Sequence, residues 1–195
     1  MDIQANLESV KRSFVNPDCE LIAVSKTKPI EDLHEAYAAG IRDFGENKVQ
    51  EIQAKQPEMP ADTRWHMIGH LQSNKIKYIA PFVYLIHGVD SFKLLKEIEK
   101  QGKKIDRVIL VLLQVHIAKE ESKFGFDQAE LDEMMGSNEF SELTHVKIIG
   151  LMGMATFTNN QNQIKKEFSR LKTIFDTIAI HNSQFTILSM GMSGD

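Results

Sequence analysis

Lys26 is the residue of this chain whose type and position best suit it to chemistry. It stands in the polar tetrad Ser25-Lys26-Thr27-Lys28, at the end of the apolar run LIAVS at residues 21–25. A core strand that ends in lysine places an amine at the border of core and solvent. Partial desolvation there favours a nucleophilic amine that can attack a carbonyl carbon, which is Schiff-base chemistry. The competing reading makes Lys26 and Lys28 solvated loop lysines, and the tetrad alone does not separate the two.

Further polar and glycine-rich groups recur along the chain: Gly45-Glu46-Asn47, Gly69-His70-Leu71-Gln72, Gly153-Met154 and Met190-Gly191-Met192-Ser193. Each follows an apolar run, so the elements that position them are legible. Residues 21–25, 41–44, 64–68, 83–87, 107–116, 146–154 and 185–188 read as seven strands. Helices are expected at 30–39, 46–55, 73–79, 127–135 and 163–180, and from a cap at Asp90 or Ser91 to Gln101. Gly40 and Pro81 supply stop signals. The run VILVLLQV within 107–116 suits a strand buried on both faces.

Repeated β-α units imply a parallel sheet with right-handed crossovers. No G-x-G-x-x-G follows the first strand, which counts against a dinucleotide-binding open sheet. In a barrel all the polar groups above fall on the one face where such folds keep their sites. The expectation is therefore α/β, a (β/α)8 TIM-type barrel, with residues 1–195 as one domain. The pattern stops after the seventh strand and Asp195 falls where the next helix should start, so the last β-strand and terminal helix are expected to be lacking.

Composition narrows the function classes. Hydrophobic residues at 42% and charged residues at 26% are ordinary for a globular chain. A net charge of −4 argues against a dedicated nucleic-acid binder. The single cysteine, Cys19, rules out an intrachain disulfide and is expected as a small buried residue. Neither a signal peptide nor an apolar run of membrane-spanning length is present, so a cytoplasmic location and no membrane partner are expected.

Six segments then carry a resemblance: AVSKTKP (23–29), FGENKVQE (44–51), WHMIGHLQSNK (65–75), IAKEESKFGF (117–126), GLMGMATFT (150–158) and LSMGMSGD (188–195). In this order and spacing they resemble the pyridoxal-phosphate homeostasis protein family, the YggS/PROSC group. Members resemble the barrel domain of alanine racemase without its second, β-rich domain. The resemblance implies pyridoxal 5′-phosphate (PLP) held as a Schiff base on Lys26, with no established catalysis and a role in the supply of free PLP. It implies PLP-dependent apoenzymes as recipients and a monomeric complete form. In this short form an open edge between strands seven and one invites association with another chain.

The same resemblance places Asn47 near the cofactor, against the alternative that it caps the next helix. It makes Met154 an apolar wall beside the pyridine ring, whereas Met152 reads as core packing. It gives Ser193 and Gly194 the cofactor phosphate. The family's second phosphate segment, an Arg-Ile-Gly-Thr-like stretch on strand eight, has no counterpart here, so a weakened phosphate grip is expected. Glu120, Glu121, Ser122 and Lys123 form a loop at the rim of the site. His66 and His70 are four apart in a strand-to-loop segment with no acidic motif beside them, so no metal is expected; position 70 is proline in some relatives. Ser73 and Asn74 start a helix. The alternative function is a PLP-dependent racemase-like enzyme, which needs a second acid/base group; Tyr37, Tyr78 and Tyr84 are not placed at the mouth. A third reading keeps the barrel only as an interaction scaffold.

Overall fold

The structure, a computed structural model, describes residues 2–118 and 124–190. Its elements run α1 (Ile3–Arg12), β1 (Ala23–Val24), α2 (Ile30–Ala38), β2 (Asp43–Glu46), α3 (Val49–Lys55), β3 (Arg64–Met67), α4 (Ile76–Ile79) and β4 (Leu85–Val89). They continue with α5 (Phe92–Lys104), β5 (Ile109–Gln114), α6 (Gln128–Met135), α7 (Asn138–Ser141), β6 (Val146–Met152), α8 (Gln161–Ala179) and β7 (Ile187–Ser189). Among these residues no helix is long and apolar enough to cross a membrane.

The strands form one sheet in the order β1-β2-β3-β4-β5-β6-β7, and every neighbouring pair is parallel. Parallel neighbours need a crossover, and the helices between strands provide it. The sheet is curled. In a flat sheet β4 and β7 would lie three strand spacings apart, about 14 Å. Instead His87 Nδ1 on β4 sits 2.9 Å from Ser189 Oγ on β7. Only curvature toward one face brings them together, so the sheet is a barrel-type arc.

Two apolar clusters follow from that curvature. The larger lies between sheet and helices: Phe44, Trp65, Met67, Ile86, Val111 and Leu113 pack against residues such as Ile52, Leu95 and Leu171. The smaller lies inside the arc and consists of Leu85, Leu112, Ile149 and Met152, with Leu110, Met154 and Ile187 against it. At roughly 1.5–3 kcal/mol per fully buried aliphatic side chain, the outer layer carries most of the stability. The inner face has room for polar groups that a wholly apolar barrel would exclude.

The expected strands all appear, but several boundaries differ. The run 21–25 forms only the two-residue β1, with Val24 44% exposed, because β1 lies at the sheet edge. Glu46 ends β2 rather than opening a helix; α3 starts at Val49. Helix α1 was not expected from the sequence; Asp2 caps it, none of its residues is fully buried, and Ile3 and Leu7 lean on the core. Cys19 is exposed, not buried: it closes a surface turn with its N–H donating to Asn16 O at 3.2 Å.

Candidate functional site

A parallel sheet delivers the C-terminal ends of all its strands to one rim. Lys26 lies two residues beyond β1, Asn47 directly after β2, Gly69 and His70 after β3, and Met154 after β6. These residues therefore share one rim. Ser193 and Gly194, and the loop residues Glu120, Glu121, Ser122 and Lys123, lie outside the described residues.

Side-chain alternation orients the first of them. Ala23 pairs with Phe44 and Val24 with Gly45. Ala23 and Phe44 belong to the outer cluster, so Val24 faces the inside of the arc, and so by the two-residue period does the position of Lys26. Lys26 is exposed, which departs from the partial burial expected of a strand end in a closed core. The edge position of β1 explains it, since no strand covers that side among the described residues.

The backbone on either side of Lys26 is tied down. Ser25, 3% exposed, donates its hydroxyl to Glu46 Oε1 at 2.7 Å. Lys55 Nζ, from α3, donates to Ser25 O at 2.8 Å, Glu46 Oε1 at 2.7 Å and Glu51 Oε2 at 3.3 Å. Thr27 N–H donates to Glu51 Oε2 at 2.8 Å. Glu46 is wholly buried, and its Oε2 has no hydrogen-bond partner. Burial pushes its carboxyl up in spite of Lys55 and Ser25. The Thr27 N–H, with Lys55 beside it, holds the Glu51 carboxyl below its ordinary value.

Asn47 is half-buried, and its side chain makes no hydrogen bond among the described residues. The cap of α3 is Lys48, without a side-chain bond, so helix capping does not account for Asn47. Gly69 packs so tightly on it that a Cβ at 69 would sit 2.6 Å from Asn47 O. Met152 is 5% exposed in the inner cluster, as its packing role requires, and Met154 leans on that cluster half-buried. The loop after Met154 is anchored by α8, where Glu167 accepts from Thr156 N–H at 2.7 Å and Thr156 Oγ1 at 2.8 Å. His70 stacks on Phe124 at 4.7 Å between ring centroids and contacts Asp90 Oδ2 at 3.0 Å. Ser73 opens the short turn Ser73–Lys75 that leads into α4.

His66 takes no part in that rim. It belongs to a hydrogen-bonded chain inside the arc that climbs from the first residue of β2 to the last of β7. Arg64 donates to Asp43 Oδ2. Asp43 Oδ1 meets His66 Nε2 at 2.9 Å, His66 Nδ1 meets His87 Nε2 at 2.9 Å, and His87 Nδ1 meets Ser189 Oγ at 2.9 Å. Burial works to raise the Asp43 carboxyl, but the bonds from His66 and Arg64 outweigh it and hold it low. Burial first, and then the neighbouring His66, push His87 down to about 3. An ionised Asp43 only accepts, so His66 donates from Nε2. In the tautomer where His66 Nδ1 accepts, His87 donates to it from Nε2 and the Ser189 hydroxyl donates to His87 Nδ1.

The sequence reading singled out His66 alone from this chain; around Lys26 it named Ser25, Thr27 and Glu46 only as strand-end polar residues and gave Glu51 and Lys55 no role. The signal for the chain was available: Asp43, His66 and His87 are polar residues within the expected strands. The partner of each was not.

The profile of the alanine racemase N-terminal domain matches residues 1–195. A pyridoxal phosphate homeostasis protein of Aquifex aeolicus is 37% identical over 179 residues, covering 90% of this chain and 77% of that protein. One of Helicobacter pylori is 38% identical over 179 residues, covering 90% and 78%. Among solved structures, PipY of Synechococcus elongatus PCC7942 without PLP aligns with a TM-score of 0.91 at 38% identity, covering 99% of this chain and 90% of that one. The same protein with PLP bound gives 0.87. An alanine racemase of Clostridium difficile aligns at 0.79 with 13% identity over 98% of this chain and 50% of its own, a likeness of fold alone.

Proposed function

Since the chain belongs to the alanine racemase N-terminal domain family, on the side of the pyridoxal phosphate homeostasis proteins, we propose that it binds PLP at the strand-end rim and serves PLP homeostasis in the cytoplasm. The observation that carries the reading is Lys26: an exposed amine on the rim whose two neighbours are fixed by the side chains of Glu46, Glu51 and Lys55.

The residues present fit that cofactor at its aldehyde end. PLP joins a planar pyridine ring to an aldehyde and a phosphate. Lys26 supplies a primary amine, and Val24, 44% exposed on the inner side of β1, supplies apolar surface for a ring to cover. When bound, PLP supplies an electrophilic carbonyl carbon, and Lys26 Nζ is the nucleophile that would hold it covalently. Asn47 brings an amide with no other hydrogen bond among the described residues, and Met154 an apolar flank. Ser193 and Gly194 follow β7, where a hydroxyl and backbone N–H groups would hold the phosphate.

The reading is of a carrier without turnover. A racemase needs a second proton-transfer group facing the lysine. Tyr37 lies in α2 and Tyr78 in α4, while Tyr84 precedes β4 at the end of the sheet away from the rim.

The test is to mix the purified chain with PLP, reduce with borohydride and map the modified peptide by mass. The expected product is one adduct, on Lys26. Equal labelling of several exposed lysines would overturn the reading. The phosphate assignment has its own check. Ser193→Ala is expected to weaken PLP binding about tenfold, the value of one hydrogen bond to a charged group, and to leave pyridoxal, which lacks the phosphate, unaffected.

A further inference from the structure

We propose that Glu46, Glu51 and Lys55 are positioning residues for Lys26: a charge cluster grips the chain on both sides of that lysine and fixes where its amine projects. This rests on the reading of Lys26 as the residue that holds PLP. Ser25 is held through its carbonyl by Lys55 and through its hydroxyl by Glu46, and Thr27 is held through its N–H by Glu51. Between them, the Lys26 side chain makes no hydrogen bond or ion pair among the described residues. A nucleophile left free while its neighbours are pinned is presented to solvent at a fixed place.

Two features argue that the cluster does more than tie α3 to the sheet. Thr27 adopts φ +61°, the left-handed region that a β-branched residue rarely enters. Such a backbone persists only where its surroundings impose it, and the Glu51 bond supplies a constraint beside the turn bond from Lys28 N–H to Ser25 O at 3.0 Å. Glu46 is wholly buried with one oxygen unpartnered, and its counter-ion Lys55 is 12% exposed. Desolvating such a pair costs about as much as the pair returns, so an apolar contact would stabilise the fold as well or better. What an apolar contact lacks is the capacity to bond a carbonyl, a hydroxyl and an N–H at three points of one turn. Lys55 uses its three N–H donors on Ser25 O, Glu46 and Glu51.

The experiment compares the full chain with Glu51→Ala and Glu51→Gln. The readouts are the rate of borohydride-trapped PLP on Lys26 and the hydrogen exchange of the Thr27 amide. Circular dichroism confirms folding. Glu51→Ala is expected to expose the Thr27 amide to exchange and slow trapping about tenfold, because a mobile turn no longer holds the amine in a productive place. Glu51→Gln keeps an acceptor for Thr27 and is expected to recover most of the rate. Should Glu51→Ala fail to fold, Ser25→Ala, which removes the 2.7 Å bond to Glu46 and the longer 3.4 Å one to Gly45 O, tests the other side of the grip with the same trapping readout. A folded Glu51→Ala that traps PLP at the parent rate overturns the positioning role and leaves the Lys26 reading intact. A parent chain that traps nothing on Lys26 overturns both.

Discussion

Lowering the pH from 6.5 to 4.5 is expected to cost the folded chain about 2 kcal/mol through one imidazole, that of His87. In the unfolded chain this ring titrates near 6.5; in the fold, burial and the adjacent His66 push it down to about 3. Between those values the unfolded chain binds a proton that the folded chain refuses. The stabilisation is therefore complete above pH 6.5 and is lost as the pH falls toward 3. Fully developed, the loss is on the order of 5 kcal/mol, a large share of the 5–15 kcal/mol typical of a domain. Asp43, in the same chain of bonds, is held below the usual carboxylate range, so its contribution is lost at more acid pH. Glu46, whose carboxyl burial pushes up toward this window, titrates alike with or without the imidazole and cancels in a comparison of variants. The check is urea denaturation at pH 7.0 and 4.5 for the parent and His87→Gln. Glutamine does not titrate, yet it offers a donor to His66 and an acceptor to Ser189. The variant should be about 1–2 kcal/mol weaker at pH 7 and should lose about 2 kcal/mol less than the parent between pH 7.0 and 4.5. An equal acid loss in both proteins would show that His87 is not responsible.

Gly150→Ala is expected to be the most damaging single methyl in the molecule. An added Cβ would lie 1.7 Å from Ile187 O and 2.7 Å from Ile187 C, both backbone atoms of the neighbouring strand. No side chain can rotate to relieve that contact. Gly150 is the register partner of Ile187, so β7 must move off β6. The bonds Thr186 N to Ile149 O, at 2.9 Å, and Gly153 N to Ser189 O, at 3.1 Å, would go with it. Ser189 would then leave His87. A cost of more than about 4 kcal/mol is expected, in the range that marks severe backbone clash. Chemical denaturation gives the size, and amide exchange at Thr186 and Gly153 shows whether β7 has detached. A variant within about 1 kcal/mol of the parent would mean that the two strands can separate slightly at little cost.

The strand order was legible because the apolar runs are separated by loops with distinct polar signals, and the apolar residues of β4 and β5 are buried almost throughout. Lys26 was legible for the same reason, as a charge at the end of an apolar run. Lys55 was not. A lysine in the last turn of a surface helix looks solvated, and its partners Glu46 and Ser25 lie 9 and 30 residues away. Cys19 was misjudged because its type favours burial while the Asn16 turn around it forces exposure. The extent of β1 was overestimated because an apolar run does not disclose whether its strand is central or at an edge. The chain from Asp43 to Ser189 needed the curl, which no local pattern encodes.

That curl sets an order of events as well as a shape. Every strand lies beside the one made just before it, so pairing can proceed as the chain leaves the ribosome, with no strand waiting for a distant partner. The bond between His87 and Ser189 is different, because it joins residues 102 positions apart. Until β7 is synthesised and docked, the His87 ring lacks the hydroxyl that completes it. The polar interior of this arc is assembled only once β7 has joined it.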